Sequence, residues 1–126
     1  MIQVTIHRTD VMAYIPEYKK TGLSGAELYA CENMSIPPSG CAEVRTGIFF
    51  TIPNGFEGQL RNVRSLLRKH VAILGGLQTI DSAAETEITV LLFNASDKVM
   101  TIKLGTSIAQ IVFAKVEQAN FTLMKV

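Results

Sequence analysis

Apolar and polar residues alternate along much of this chain with the period of two that is typical of β-strands. The alternation predicts strands over four stretches, residues 2–6, 44–52, 100–104 and 108–116. Pro37-Pro38-Ser39-Gly40 is a turn signal that ends a shorter strand. The pattern therefore predicts a chain of many short strands joined by tight turns.

Residues 88–93 break the alternation because they form an almost continuous apolar run with several β-branched residues. Such a run is typical of a strand that is buried on both faces. Residues 94–97 then predict a turn. We therefore expect a strand over residues 88–93 with both faces buried.

One segment has helical spacing. Val63, Leu66, Leu67 and His70 lie at i, i+3, i+4 and i+7, the stripe of a short helix, and Asn62 is placed to cap it. On this stripe His70 is predicted to be a core or interface histidine. One short helix among many strands predicts an all-β fold, a sandwich or jelly roll.

Composition narrows the class of protein. With 126 residues, 48% of them hydrophobic, the chain is long enough for a core, and we expect one domain over residues 1–126. The net charge of +1 gives no strong electrostatic field that would attract nucleic acid, and no apolar run is long enough to predict a membrane helix.

The start of the sequence does not resemble a signal peptide, so an intracellular protein, cytoplasmic or nuclear, is expected. Cys31 and Cys41 are predicted to be reduced thiols.

A basic cluster formed by Arg61, Arg64, Arg68 and Lys69 surrounds the predicted helix. Basic side chains neutralise phosphates, but no aromatic residues are interleaved to stack bases. This favours a solvated or inter-subunit face over a nucleic-acid site. The two histidines lie far apart without further ligands at zinc spacing.

Candidate chemistry lies in Arg64-Ser65 and in Asp81, seventeen residues after Arg64. An arginine presents a fixed fork of donors to phosphate oxygens, and a carboxylate can take a proton from an attacking water. The trio suits the hydrolysis of a polyphosphate. Asp81 could instead only cap a turn, and Gln110 could only satisfy a buried backbone group.

Four motifs follow one another over about 90 residues: Gly25-Ala26-Glu27-Leu28-Tyr29-Ala30, Arg64-Ser65, Ile80-Asp81 and Gly105-Thr106-Ser107-Ile108-Ala109-Gln110. In this order they resemble the motifs of the trimeric dUTPases. The resemblance implies a dUTPase-like jelly roll, also called a β-clip, and a homotrimer whose active sites are shared between subunits. It further implies dUTP as the nucleotide.

The resemblance also implies residue roles. Arg64, Ser65 and Gln110 would contact the phosphates, and Asp81 would orient or activate the attacking water. Glu27 would help to hold magnesium through water.

The chain also departs from the family pattern. Ala84 stands where the family has a tyrosine that packs under the deoxyribose, and Gln78 and Thr86 stand where it has glycines. Thr106-Ser107 replaces Asp-Arg, and the sequence ends at Val126 without the Gly-rich fifth motif. These departures predict a catalytically degenerate, regulatory homotrimer, a pseudoenzyme that needs no cofactor. The alternative is an active dUTP pyrophosphatase that uses magnesium, and a third interpretation is a nucleotide sensor without turnover.

A narrower resemblance links the chain to the non-enzymatic, dUTPase-derived proteins of adenovirus early region 4. It rests on residues 36–40 and 87–94 and on the short C-terminus. It implies a viral adaptor. Residues 122–126 would then bind a protein partner by strand addition, as a PDZ ligand does, although so short a tail favours an ordinary chain end.

Overall fold

The computed structural model describes all residues, 1–126, and contains eleven β-strands and one short helix. The elements in chain order are β1 Thr5–Arg8, β2 Ala26–Tyr29, β3 Met34–Ile36, β4 Cys41–Arg45, β5 Ile48–Thr51, β6 Phe56–Arg61, α1 Arg64–Leu67, β7 Val71–Ile73, β8 Leu77–Ile80, β9 Thr89–Asn94, β10 Met100–Ile102 and β11 Ser107–Lys115. The all-β prediction with one short helix is confirmed.

All strand pairs are antiparallel, and they form four sheets. The largest has the order β2-β11-β6-β8, a second has the order β4-β9-β7, and β1-β5 and β3-β10 form two-stranded pairs. A cluster of 22 buried apolar residues, most of them on these strands, forms the core. Alternation along most of the strands places every second side chain toward this core.

The strand over residues 88–93 exists as β9, but its burial alternates. Val90 and Leu92 are fully buried, whereas Thr89, Leu91 and Phe93 are half-buried. β9 pairs with β4 on one edge and β7 on the other. The prediction of burial on both faces is therefore wrong in part, since the half-buried face is only partly covered.

The helix is shorter than the apolar stripe predicts. Val63 and Leu66 are buried, but Leu67 is 45% exposed. His70 is exposed and left-handed, with φ 63°, so the helix has ended before it. Asn62 does not cap the helix, because its Oδ1 accepts a hydrogen bond from the Ile73 N–H at 2.7 Å. The prediction of an Asn62 cap is wrong. His70 is not a core residue, and its role as an interface histidine stays a prediction.

The first strand begins at Thr5, later than the alternation predicts, because only residues 5–8 pair with another strand, β5. Cys31 is buried, Cys41 is exposed, and both are free thiols, as expected. The chain contains no helix that is long and apolar enough to cross a membrane.

One ion cluster ties the segment that follows Asp81 to the rest of the fold. Arg45 contacts Glu87 at 2.8 Å, Asp10 at 3.2 Å and Glu32 at 3.6 Å. Glu87 accepts two hydrogen bonds from the Arg45 guanidinium and one from the Thr9 hydroxyl. The hydrogen bonds from Arg45, more than any other contact, hold the pKa of Glu87 below its ordinary value.

Glu87→Gln should therefore destabilise the fold in a pH-dependent way. Since the folded-state pKa of Glu87 is lowered, its contribution is present above the ordinary pKa of 4.5 and is lost as the pH falls through the folded value. Arg45 is 37% exposed, so solvent screening reduces the expected loss at pH 7 to about 1–2 kcal/mol. Denaturant unfolding at pH 7 and at pH 3 measures it, with the exposed Glu117→Gln as control. An equal loss at both pH values would contradict the ionic origin.

Candidate functional site

A row of polar residues crosses the largest sheet. Glu27 of β2 is in register with Gln110 of β11, which is in register with Arg61 of β6. Residues paired directly across antiparallel strands share one face of the sheet, so the three side chains are neighbours on it. Glu27 and Gln110 are half-buried and Arg61 is exposed. The fold thus brings together two of the predicted site residues, Glu27 and Gln110, beside a cation.

Arg64 and Ser65 lie near the same end of the sheet. They open α1, three residues after β6 ends at Arg61, and both are exposed. No carboxylate forms a salt bridge with Arg64, so its guanidinium is free to bind an anion. Four of the five predicted site residues therefore lie toward one end of β6.

Asp81 lies toward the other end. It directly follows β8, whose last residue, Ile80, is in register with Gly58 of β6. From Gly58 to Arg61 β6 advances about 10 Å, at roughly 3.3 Å per residue, and Arg64 lies further on. Within a single chain, Asp81 therefore lies apart from Arg64-Ser65.

Asp81 lines an open cleft of about 490 Å³. The cleft lies between the β5–β6 turn, the turn after β8 and the segment that follows β11, and its lining residues are Asn54, Gly55, Phe56, Glu57, Asp81, Ser82, Ala83, Val116 and Gln118. The Asp81 side chain is exposed and forms no hydrogen bond within the chain. The adjoining turn is closed by the backbone alone, through the Ala84 N–H to the Asp81 carbonyl at 3.1 Å. The alternative of Asp81 as a side-chain cap is therefore not realised, and the carboxylate is available to a water in the cleft.

A series of hydrogen-bonded side chains on β6 was not predicted from the sequence. Arg61 donates to the Gln59 Oε1 at 2.7 Å, and the Gln59 Nε2 donates to Glu57 at 2.9 Å. Glu57 in turn lines the cleft of Asp81. The polar residues at alternate positions 57, 59 and 61 were the signal that could have revealed this series.

The chain contains no group of three or more His, Cys, Asp or Glu side chains that could hold a metal ion. Glu27, the predicted metal contact, lies opposite Gln110 of β11 on one side and opposite one other carboxylate residue, Glu17, on the other. A cation here would need oxygen ligands from elsewhere.

Comparison with known proteins gives one family. The family model described as dUTPase matches residues 12–126. The deoxyuridine 5'-triphosphate nucleotidohydrolase of Picosynechococcus is 39% identical over 113 residues, 89% of this chain and 80% of the relative. The enzyme of the same name from Helicobacter pylori strain P12 is 35% identical over 121 residues, 95% of this chain and 83% of the relative.

Solved structures show the same fold at lower identity. A dUTPase from phage phi11 of Staphylococcus aureus superposes with a TM-score of 0.91 at 16% identity, covering 99% of this chain and 97% of the other. A Staphylococcus phage 80alpha dUTPase variant, solved with dUpNHpp, has a TM-score of 0.91 at 17% identity and covers 100% of this chain and 90% of the other. The predicted dUTPase-like β-fold is thereby confirmed.

The prediction of a degenerate regulatory protein is wrong. Relatives that are 35–39% identical over most of this chain carry the name of the enzyme and favour active dUTP hydrolysis. The prediction gave most weight to Ala84 and to the missing fifth motif, which concern the sugar and the closure of the site. The residues proposed for phosphate and water, Arg64, Ser65 and Asp81, are all present.

Proposed function

Because this chain belongs to the dUTPase family, we propose that it is a dUTP pyrophosphatase that converts dUTP and water into dUMP and pyrophosphate. The observation that carries this proposal is the extent of the match to relatives named for the enzyme, up to 95% of the chain. The free guanidinium of Arg64 and the open carboxylate of Asp81 support it chemically.

Arg64, Ser65 and Gln110 bind the phosphates in this proposal. An arginine can form two parallel hydrogen bonds to phosphate oxygens, and these bonds strengthen as charge develops during phosphoryl transfer. The Ser65 hydroxyl and the Gln110 amide add neutral donors. Together they hold the triphosphate so that its α-phosphorus faces the attacking water.

Asp81 activates the water. Its carboxylate accepts one proton as the water oxygen forms a bond to the α-phosphorus, and the bond from that phosphorus to the bridging oxygen breaks. Pyrophosphate leaves with the electron pair of the broken bond. The proton on Asp81 then passes to solvent, which restores the carboxylate.

A second subunit completes the site. Arg64 and Asp81 lie toward opposite ends of β6, so the register of one chain does not bring them to the same end of the sheet. We propose a closed homotrimer in which Asp81 of one subunit faces Arg64, Ser65 and Gln110 of a neighbour. Closed symmetric assemblies repeat one such contact at every interface.

Magnesium fits this arrangement as an ion that binds together with the substrate. Mg²⁺ binds through one or two carboxylates together with substrate phosphates, so it needs no complete cage from the protein. Glu27 is the proposed carboxylate, acting through water beside Gln110. When bound, the ion would neutralise phosphate charge during the reaction.

Pyrophosphate release from dUTP tests the proposed function. With magnesium we expect turnover within about 1 to 1,000 per second. Chelation of the metal should reduce the rate strongly, and dCTP serves as the matched nucleotide control. A rate with dUTP that equals the enzyme-free blank would refute the proposal.

Viral origin, intracellular location and a protein partner for residues 122–126 stay predictions. The relatives described above come from bacteria, and the structural neighbours come from phages of Staphylococcus. The terminal residues are exposed and lie outside any strand.

A further inference from the structure

Gly25 directly precedes β2 and is buried against the side chain of Gln110. It lies two residues before Glu27, which is the register partner of Gln110 in β11. A Cβ atom at position 25 would lie 2.7 Å from the Gln110 Oε1 and 2.9 Å from the Gln110 Cβ. Non-bonded carbon atoms pack at about 3.5–4.0 Å, so the Gln110 side chain fills the space that any other residue at position 25 would need.

The Gln110 amide is held by packing and not by hydrogen bonds. It forms no hydrogen bond within the chain, and its polar atoms are not fully buried. The amides of Gln59 and Gln78, by contrast, are both hydrogen-bonded. A long side chain without such a bond ordinarily samples several rotamers. The close contact with Gly25 restricts this freedom and leaves the N–H donors of Gln110 unused.

We propose that Gly25 is a positioning residue for phosphate binding: because it has no side chain, the Gln110 amide can lie against it with both N–H donors free for the triphosphate. The inference rests on the proposed function, in which Gln110 binds the phosphates, and deepens it by naming the residue that fixes the Gln110 side chain. Gly25 itself contributes no group to the ligand. An amide that is already fixed loses less conformational entropy when the ligand binds.

Gly58 of β6 offers a matched control. It is also buried, and a Cβ atom there would lie 2.9 Å from the Ile111 Cδ1. Ile111 follows Gln110 in β11 and therefore lies on the opposite face of the sheet. Neither glycine has a positive φ, so alanine strains neither backbone. Alanine at each position forces a side chain of β11 to move, but only alanine at position 25 moves an amide.

Titration calorimetry with the non-hydrolysable analogue dUpNHpp and magnesium compares Gly25→Ala with Gly58→Ala. Gly25→Ala should bind about tenfold to a hundredfold more weakly, the usual effect of losing one hydrogen bond to a charged group. Gly58→Ala should bind as the unchanged protein does. Both variants should melt at a lower temperature, because each is overpacked. Unchanged affinity in Gly25→Ala, or an equal loss in Gly58→Ala, would overturn the proposal.

The double variant Gly25→Ala/Gln110→Ala separates positioning from direct contact with the ligand. If Gly25 acts through Gln110, alanine at position 25 should cost no affinity once the amide has been removed. If the ligand itself needed the space at Gly25, the two losses of affinity would add. Additive losses would therefore overturn the proposal.

Nitrogen-15 relaxation of the unchanged protein tests the positioning without a variant that must fold. The order parameter of the Gln110 Nε2 amide should approach the roughly 0.85 of a rigid backbone. The exposed Gln118 is the control, and its amide should lie below about 0.6. A Gln110 amide as mobile as that of Gln118 would overturn the proposal.

Failure of the two proposals can be told apart. If the unchanged protein hydrolyses dUTP but Gly25→Ala binds dUpNHpp normally, the enzyme proposal stands and the positioning role is wrong. If the unchanged protein binds dUpNHpp without hydrolysing dUTP, and Gly25→Ala loses affinity only where Gln110 is present, the positioning role stands and the enzyme proposal is wrong. If the unchanged protein does not bind dUpNHpp, both are wrong.

Discussion

Replacing Asp81 with asparagine is expected to reduce kcat for dUTP by about 10²- to 10⁴-fold, the usual contribution of a general base. An amide has nearly the same shape as the carboxylate but cannot accept the proton of the attacking water. Because Asp81 is exposed and forms no hydrogen bond within the chain, the substitution should not disturb the fold. Stopped-flow or pyrophosphate-release kinetics with dUTP and magnesium measure the effect.

The matched control is Asp97→Asn, a second exposed aspartate that lies in the turn between β9 and β10. It should leave kcat unchanged. Asp81→Asn should also retain the melting temperature and the affinity for dUpNHpp, since its defect lies in the chemical step. A full rate in Asp81→Asn would assign the base to another group, and Glu57 in the same cleft would be the next to test.

Most strands could be predicted because they obey one simple constraint. The stretches 44–52 and 108–116 alternate since one face of each packs on the core. β11 covers most of the second stretch, but the first is divided in the structure between the end of β4 and the whole of β5. The same rule failed for residues 2–4, where alternation is present but no neighbouring strand is available. Periodicity shows which face a strand would bury and leaves open whether a partner exists.

The helix shows why short apolar stripes mislead. Val63 and Leu66 are buried as the spacing predicts, but His70 has a positive φ and ends the stripe. In a helix of four residues tertiary packing outweighs local preference. Asn62 was a plausible cap in sequence, and it bonds instead to Ile73 on a strand that the spacing could not place nearby.

The residue types of the candidate site could be predicted, but their arrangement could not. Arg64 and Asp81 are seventeen residues apart in sequence, yet strand register separates them within one chain. The hydrogen bonds of the Gln78 amide to Thr89 and Leu91 of β9 could not be predicted either, because a side-chain amide that takes the place of a neighbouring strand leaves no periodic signal. The predicted loss of activity gave most weight to the contacts with the sugar and to the closure of the site, although the residues proposed for phosphate and water, Arg64, Ser65 and Asp81, are present.

Mixing two inactive variants should restore activity if the site is shared between subunits. Arg64→Ala removes the phosphate contact from one end of β6, and Asp81→Asn removes the base from the other. In randomly mixed trimers a site is intact only when Asp81 comes from an Arg64→Ala chain and Arg64 from a neighbouring Asp81→Asn chain. Each condition holds for half of the chains, so about one quarter of the sites, ½ × ½, should be active in a closed trimer.

Co-refolding equal amounts of the two variants, followed by the pyrophosphate assay, measures this recovery, and light scattering confirms the mass of three chains. The control replaces Arg64→Ala with the double variant that carries both substitutions in one chain. That mixture contains no chain with an intact Asp81 and should stay inactive. If mixed trimers form and no activity returns, Asp81 and Arg64 do not meet across an interface, and the shared site is wrong. Recovery near one quarter would show that the separation along β6 is the reason why this fold needs a second subunit for its chemistry.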